Sequence, residues 1–113
     1  MTVKPHKYGA KRAQIGDQSF DSRREARRFA ELELLARGGE ISDLRRQVKI
    51  QLKGRDGPIL TPTGRPAHYV ADFVYLDRRT GGEVIEDAKG FQTPEYKLKR
   101  AILAAQGLTI REV

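Results

Sequence analysis

The sequence contains no cysteine, no tryptophan and only two histidines. Without cysteine there are no disulfides and no thiolate zinc ligands. His6 and His68 stand too far apart in sequence to suggest a zinc motif. No apolar run approaches the roughly 20 residues of a membrane span. The opening MTVKPHKYGAKR lacks the apolar core of a signal peptide. Repeats and low-complexity blocks are also missing. These absences lead us to expect a soluble cytoplasmic protein with no membrane partner. Negative charge is scarce as well: 15 Asp and Glu face 22 Lys and Arg, a net charge of +7. A small basic chain of this kind points to a polyanion partner, usually nucleic acid.

The chain has 113 residues, which suits one domain with one modest core. Residues 1–19 read as a basic arm, with a short hairpin in AQIGDQSF. Lys7, Lys11 and Arg12 are candidates there for DNA phosphates, since basic arms commonly lie along them. Residues 20–113 read as the domain proper. Residues 22–37 read as a helix, with Ser22 as N-cap, Glu25 completing a capping box and Phe20 placed as a staple. Ala26, Phe29, Ala30, Leu32 and Leu35 form its apolar face. Residues 44–52 alternate as a half-buried strand, and 53–66 form a Gly- and Pro-rich loop or loose hairpin. Strands follow at 68–76 and 83–89, joined by the turn DRRTGG. Thr93 and Pro94 open a second helix as N-cap and first-turn proline. Its expected inner stripe is Leu98, Ala101, Ile102 and Ala105, and LTIREV closes the chain as a strand. The helix between the last two strands implies that these run parallel.

The chemistry concentrates in VIEDAKG. If Asp77 pairs with Gly82 across the turn, Asp72 falls opposite Asp87 on one face of the hairpin, with Cβ atoms about 5 Å apart. Alternation puts Lys89 with Asp87 and sends Glu86 to the other face. Two opposed carboxylates repel, and a hard divalent cation with oxygen ligands would compensate. A neighbouring lysine could hold a nucleophilic water or meet a phosphate oxygen, which is equipment for metal-assisted phosphodiester hydrolysis. Glu25 lies inside the apolar arc of the first helix, so it either caps that helix or reaches the site as well. Gln47 either faces the same site or is an ordinary edge residue. On the second helix, Lys97 and Arg100 sit off the apolar stripe. Together with Arg24, Thr93 and the helix N-terminus they are candidate DNA contacts. Tyr96 is a candidate for stacking or for packing.

The order αβββαβ, with Asp72 and Asp87-Ala88-Lys89 on successive strands, resembles the PD-(D/E)xK nuclease superfamily. KYGAKR, FDSRREARRFAELELL, GEISDLRRQ, YVADFVY, EDAKG and TPEYKLKR, in that order, are similar to a family of small phage and prophage proteins related to junction-resolving endonucleases. The resemblance implies a restriction-endonuclease-like core: a mixed four-stranded sheet with a helix on each side. It implies Glu25, Asp72, Asp87 and Lys89 as catalytic residues. Asp72, Asp87, Glu25 and the Ala88 carbonyl would be ligands of Mg²⁺ or Mn²⁺. Gln47 matches a glutamine of related nucleases. The sequence departs from the pattern in two places: Ala71 replaces a common proline, and Asp87 replaces the commoner glutamate, with Glu86 adjacent. The expected function is a metal-dependent endonuclease acting on branched or junction DNA in phage recombination inside a bacterial host. A Holliday junction resolvase working as a homodimer would fit. The alternative is a non-catalytic DNA-binding phage protein with the same fold.

Overall fold

The structure, a computed structural model, describes residues 13–15 and 18–113, with side chains from Gln18 onward. Lys7, Lys11 and Arg12 therefore lie outside the described residues. A short antiparallel hairpin, β1 (Ala13–Ile15) and β2 (Gln18–Phe20), leads into α1 (Arg23–Arg37). The remaining elements are β3 (Ile41–Gln51), β4 (Lys53–Gly54), β5 (Gly57–Pro58), β6 (His68–Asp77), β7 (Glu83–Asp87), α2 (Pro94–Ala105) and β8 (Ile110–Glu112). The main sheet has the order β3-β6-β7-β8. Its first three strands are antiparallel, and β8 runs parallel to β7. The fold is thus α/β with a mixed four-stranded sheet and two helices. No helix among the described residues is long and apolar enough to cross a membrane.

The caps act where the sequence put them. The Ser22 hydroxyl accepts from the Glu25 N–H at 3.1 Å, and the Thr93 hydroxyl accepts from the Tyr96 N–H at 3.0 Å. Each satisfies one helix-end donor that would otherwise lack a partner. The α1 face buries Ala26, Phe29 and Leu32 against Phe20, Ile41, Phe73 and Tyr75. The Phe20 and Phe29 rings meet at 5.2 Å. Arg46 ties β2 to the sheet: its guanidinium lies 3.8 Å from the Phe20 ring centroid and donates to the Ser19 carbonyl at 2.9 Å. On the other side of the sheet, Leu52, Tyr69, Ala71, Val74 and Ile85 pack with Tyr96 and Leu103 of α2.

Several boundaries differ from the periodicity. Strand β3 starts at Ile41 rather than 44, because a bulge between Ser42 and Arg45, with Asp43 at φ 54°, interrupts the alternation that marks a strand. The 53–66 segment is a tight two-residue hairpin, β4–β5, followed by a bridge between Leu60 and Pro66. Strand β7 ends at Asp87, so Ala88 and Lys89 lie just past it.

The phase of α2 needs a larger correction. Leu98 is 63% exposed, and Ala101 and Ala105 are exposed too. Tyr96 and Leu103, seven residues apart and therefore two turns along one face, make the contact instead. Of the expected stripe only Ile102 packs against this core, partly buried beside Leu103. Arg100, donating to Glu112 of β8 at 2.6 Å, fixes the same rotation.

One irregularity positions everything that follows. In β3, Ile41 and Leu44 pack on the α1 side, whereas Val48 and Ile50, with Leu52 just past the strand, pack on the α2 side. In β6, Tyr69 and Ala71 belong to the α2 side, and Phe73 and Tyr75 to the α1 side. Both strands change faces at Gln47 and its neighbour Asp72. Gln47 adopts φ 52°, a left-handed conformation that costs a non-glycine residue about 1–2 kcal/mol.

Candidate active site

The hairpin β6–β7 takes the register the turn implied. Phe73 pairs with Glu86, and the ladder runs on to Leu76 and Glu83. The Asp77 N–H donates to the Gly82 carbonyl at 2.9 Å. The ladder ends at the pair of Phe73 and Glu86, and just beyond it the Asp72 and Asp87 carboxyls lie close enough to act on each other. Burial first, then hydrogen bonding to Asp87 and the charges of Asp87 and Glu25, push the Asp72 carboxyl up to about 8. The Ala88 N–H, donating to Asp72 Oδ2 at 2.9 Å, works the other way.

Asp87 is 1% exposed. Its Oδ2 accepts from the Tyr69 hydroxyl and lies 3.2 Å from the Lys89 ammonium. Its Oδ1 is buried and has no hydrogen-bond partner. The Lys89 ammonium also sits 4.6 Å from the centre of the Tyr96 ring. Glu86, the adjacent acid, points to the opposite face. It is fully buried and accepts from Arg28 Nε at 2.8 Å and Nη2 at 2.7 Å, and from the Tyr75 hydroxyl. Glu86 therefore faces away from Asp72 and Lys89, and it holds α1 to the sheet.

Glu25 has two attachments. Its backbone belongs to the cap, while its carboxylate turns to the sheet and accepts from Gln47 Nε2 at 2.9 Å. Arg46 Nη2 stands 3.6 Å away. Burial, with the Asp21 charge adding to it, raises the Glu25 carboxyl above its ordinary value, and Arg46 and Gln47 oppose this. The same Gln47 amide reaches Asp72 Oδ1 at 3.4 Å. Gln47 thus faces the site and bridges Glu25 to Asp72. The helix acid stands one side chain away from the carboxyl pair rather than against it.

An open cleft of about 460 Å³ runs past these groups, lined by Arg24, Glu25, Asp72, Ala88, Lys89 and Thr93 among others. Of the expected DNA contacts, Arg24 and Thr93 lie on it. Lys97 and Arg100 line a different groove, with Ala101 and Leu108, between α2 and the C-terminal strand. Arg100 is engaged with Glu112. Tyr96 is a buried core residue and not a surface contact, its ring 6.1 Å from that of Tyr69.

Among the described residues, no group of three or more His, Cys, Asp or Glu side chains is gathered closely enough to hold a metal ion as it stands. The donor set nevertheless suits a hard divalent cation. Two carboxylates oppose each other, one of their oxygens is buried without a partner, and a third carboxylate is linked through Gln47.

Tyr69 and Arg46 escaped the sequence reading, as did the pairing of Arg28 with Glu86. Strict alternation sends Tyr69 and Asp72 to opposite faces. Only the change of face at Gln47 brings the Tyr69 hydroxyl to the carboxyl that pairs with Asp72.

The sequence model of a family described as "Protein of unknown function (DUF1064)" matches residues 5–113, and the chain belongs to that family. No curated protein and no solved structure matches it.

Proposed function

We propose that the protein is a metal-dependent endonuclease of the PD-(D/E)xK kind that hydrolyses DNA phosphodiesters, with branched or junction DNA as its substrate. One observation carries the reading. Asp72 and Asp87 meet just past the end of the β6–β7 ladder, Lys89 sits at 3.2 Å from Asp87, and a buried Asp87 oxygen lacks any partner. A fold serving only as scaffold gains nothing from such a pair, because opposed like charges destabilise a sheet.

Asp72 and Asp87 would hold Mg²⁺ or Mn²⁺, with Glu25 and the Ala88 carbonyl completing the set. Bound there, the ion would supply positive charge to the scissile phosphate and acidify a coordinated water. Lys89 orients the attacking water or meets a phosphate oxygen from its place beside Asp87. Gln47 keeps Glu25 and Asp72 in one hydrogen-bonded chain, which fixes both carboxylates before substrate arrives. Arg24, on the cleft wall, and the N-terminus of α2 at Thr93 receive the phosphates on either side. A homodimer carrying two clefts would cut two strands of a junction.

The test is incubation with branched, duplex and single-stranded DNA, with Mg²⁺, Mn²⁺ or chelator, for wild type and Asp87→Ala. Metal-dependent cleavage abolished by Asp87→Ala is the expected result. Cleavage that survives the substitution refutes the site. Binding without cleavage in either metal leaves the non-catalytic DNA-binding protein.

A further inference from the structure

The two oxygens of Asp87 live in different surroundings. Oδ2 takes the Tyr69 hydroxyl and the Lys89 ammonium, whereas Oδ1 is buried with no donor. A buried carboxylate oxygen without a partner is costly, and native structures leave few of them. The asymmetry is built by the fold. Tyr69 is itself buried, packed among Leu52, Ala71, Val74 and Ile85, so its hydroxyl has little freedom to turn elsewhere.

Resting on the metal reading above, we infer that Tyr69 is a positioning residue for the cation: its hydroxyl, with the Lys89 ammonium, occupies Asp87 Oδ2 and leaves Oδ1 as the liganding atom. A carboxylate with both oxygens free rotates and alternates between one- and two-oxygen contacts. One with Oδ2 pinned presents a single oxygen in a fixed direction. Outer hydrogen bonds of this kind orient metal ligands, and losing one typically weakens metal binding 10–100-fold. Tyr69 also touches Lys89 indirectly, since both meet Oδ2. Removing the hydroxyl leaves Lys89 as the sole partner of that oxygen and draws the ammonium away from the cleft.

The experiment is Mn²⁺ titration by calorimetry of wild type, Tyr69→Phe and Tyr96→Phe, with the melting temperature of each recorded. Tyr96 is the control: it is buried in the same cluster, and its hydroxyl does not bond Asp87. Wild type is expected to bind, Tyr69→Phe to bind 10–100-fold more weakly, and Tyr96→Phe to stay within about twofold. Equal Mn²⁺ affinity in wild type and Tyr69→Phe overturns the inference and leaves the metal reading standing. Failure of wild type to bind Mn²⁺ overturns both. Should Tyr69→Phe not fold, 3-fluorotyrosine placed at Tyr69 reports instead. Its ¹⁹F resonance should move on saturation with Mg²⁺ while wild-type affinity is kept, and an unmoved resonance counts against the inference.

Discussion

Adjacent acids on opposite faces should respond to the same chemical change in different ways. Glu86 is fully buried and accepts two hydrogen bonds from Arg28, one from Tyr75, and has Arg111 at 3.9 Å. Glu86→Gln keeps the shape and removes the charge. Breaking a buried ion pair from one side costs about 3–5 kcal/mol. Arg28 is 21% exposed and keeps Glu31 at 2.9 Å, and glutamine retains one acceptor, so the cost falls to about 2–3 kcal/mol. Asp87→Asn instead removes one of two neighbouring carboxylates, and it also takes the charged partner from Lys89 at 3.2 Å, while the Tyr69 hydroxyl keeps an acceptor. Relief of the repulsion with Asp72, about 1 kcal/mol on the scale of a cross-strand charge pair, offsets part of the lost ion pair, so Asp87→Asn should cost less than Glu86→Gln, about 1 kcal/mol or below. The assay is urea unfolding followed by circular dichroism, with and without Mn²⁺. A ligand at a hundredfold excess over its Kd stabilises the fold by about 2.7 kcal/mol. Glu86→Gln should keep that increment, and Asp87→Asn should lose it. The reverse pattern would refute the assignment of the two faces, and an equal loss in both would refute the idea that the faces are independent.

Two further outcomes follow from the same geometry. The Asp72 carboxyl is raised from 3.8 to about 8, so the folded chain binds a proton there that the unfolded chain has already lost. That contribution is complete below about pH 4 and disappears as pH rises towards 8. Without metal, stability should therefore fall across pH 5–8, by up to about 1.4 kcal/mol per pH unit for one proton. Asp72→Asn should flatten the slope, and a slope unchanged by that variant refutes the reasoning. At Gln47, glycine and alanine both remove the bridging amide, but only glycine accepts φ 52° without strain. Gln47→Gly should be more stable than Gln47→Ala by about 1 kcal/mol in the same urea assay. Equal stability would mean that the strand relaxes once the amide is gone.

The sequence by itself determined the caps at Ser22 and Thr93, the order of the main strands, the direction of the last strand and the register of the central hairpin. Each depends on neighbours in the chain: a cap on the next three residues, a hairpin register on its turn, a parallel strand on the helix before it. The opposition of Asp72 and Asp87, and the separation of Glu86 from Asp87, are consequences of that local geometry. Tertiary structure decided the rest. The rotation of α2 depended on how much area Tyr96 and Leu103 bury against strands distant in sequence, and a helical wheel cannot weigh this. Whether the Glu25 carboxylate stays at its cap or turns to the sheet depended on where Gln47 and Arg46 arrive. The change of face at Gln47 and Asp72 broke the alternation on which a strand reading relies, and so hid Tyr69. A left-handed glutamine in mid-strand has no sequence signature; it persists because the packing on both sides of the sheet outweighs its strain.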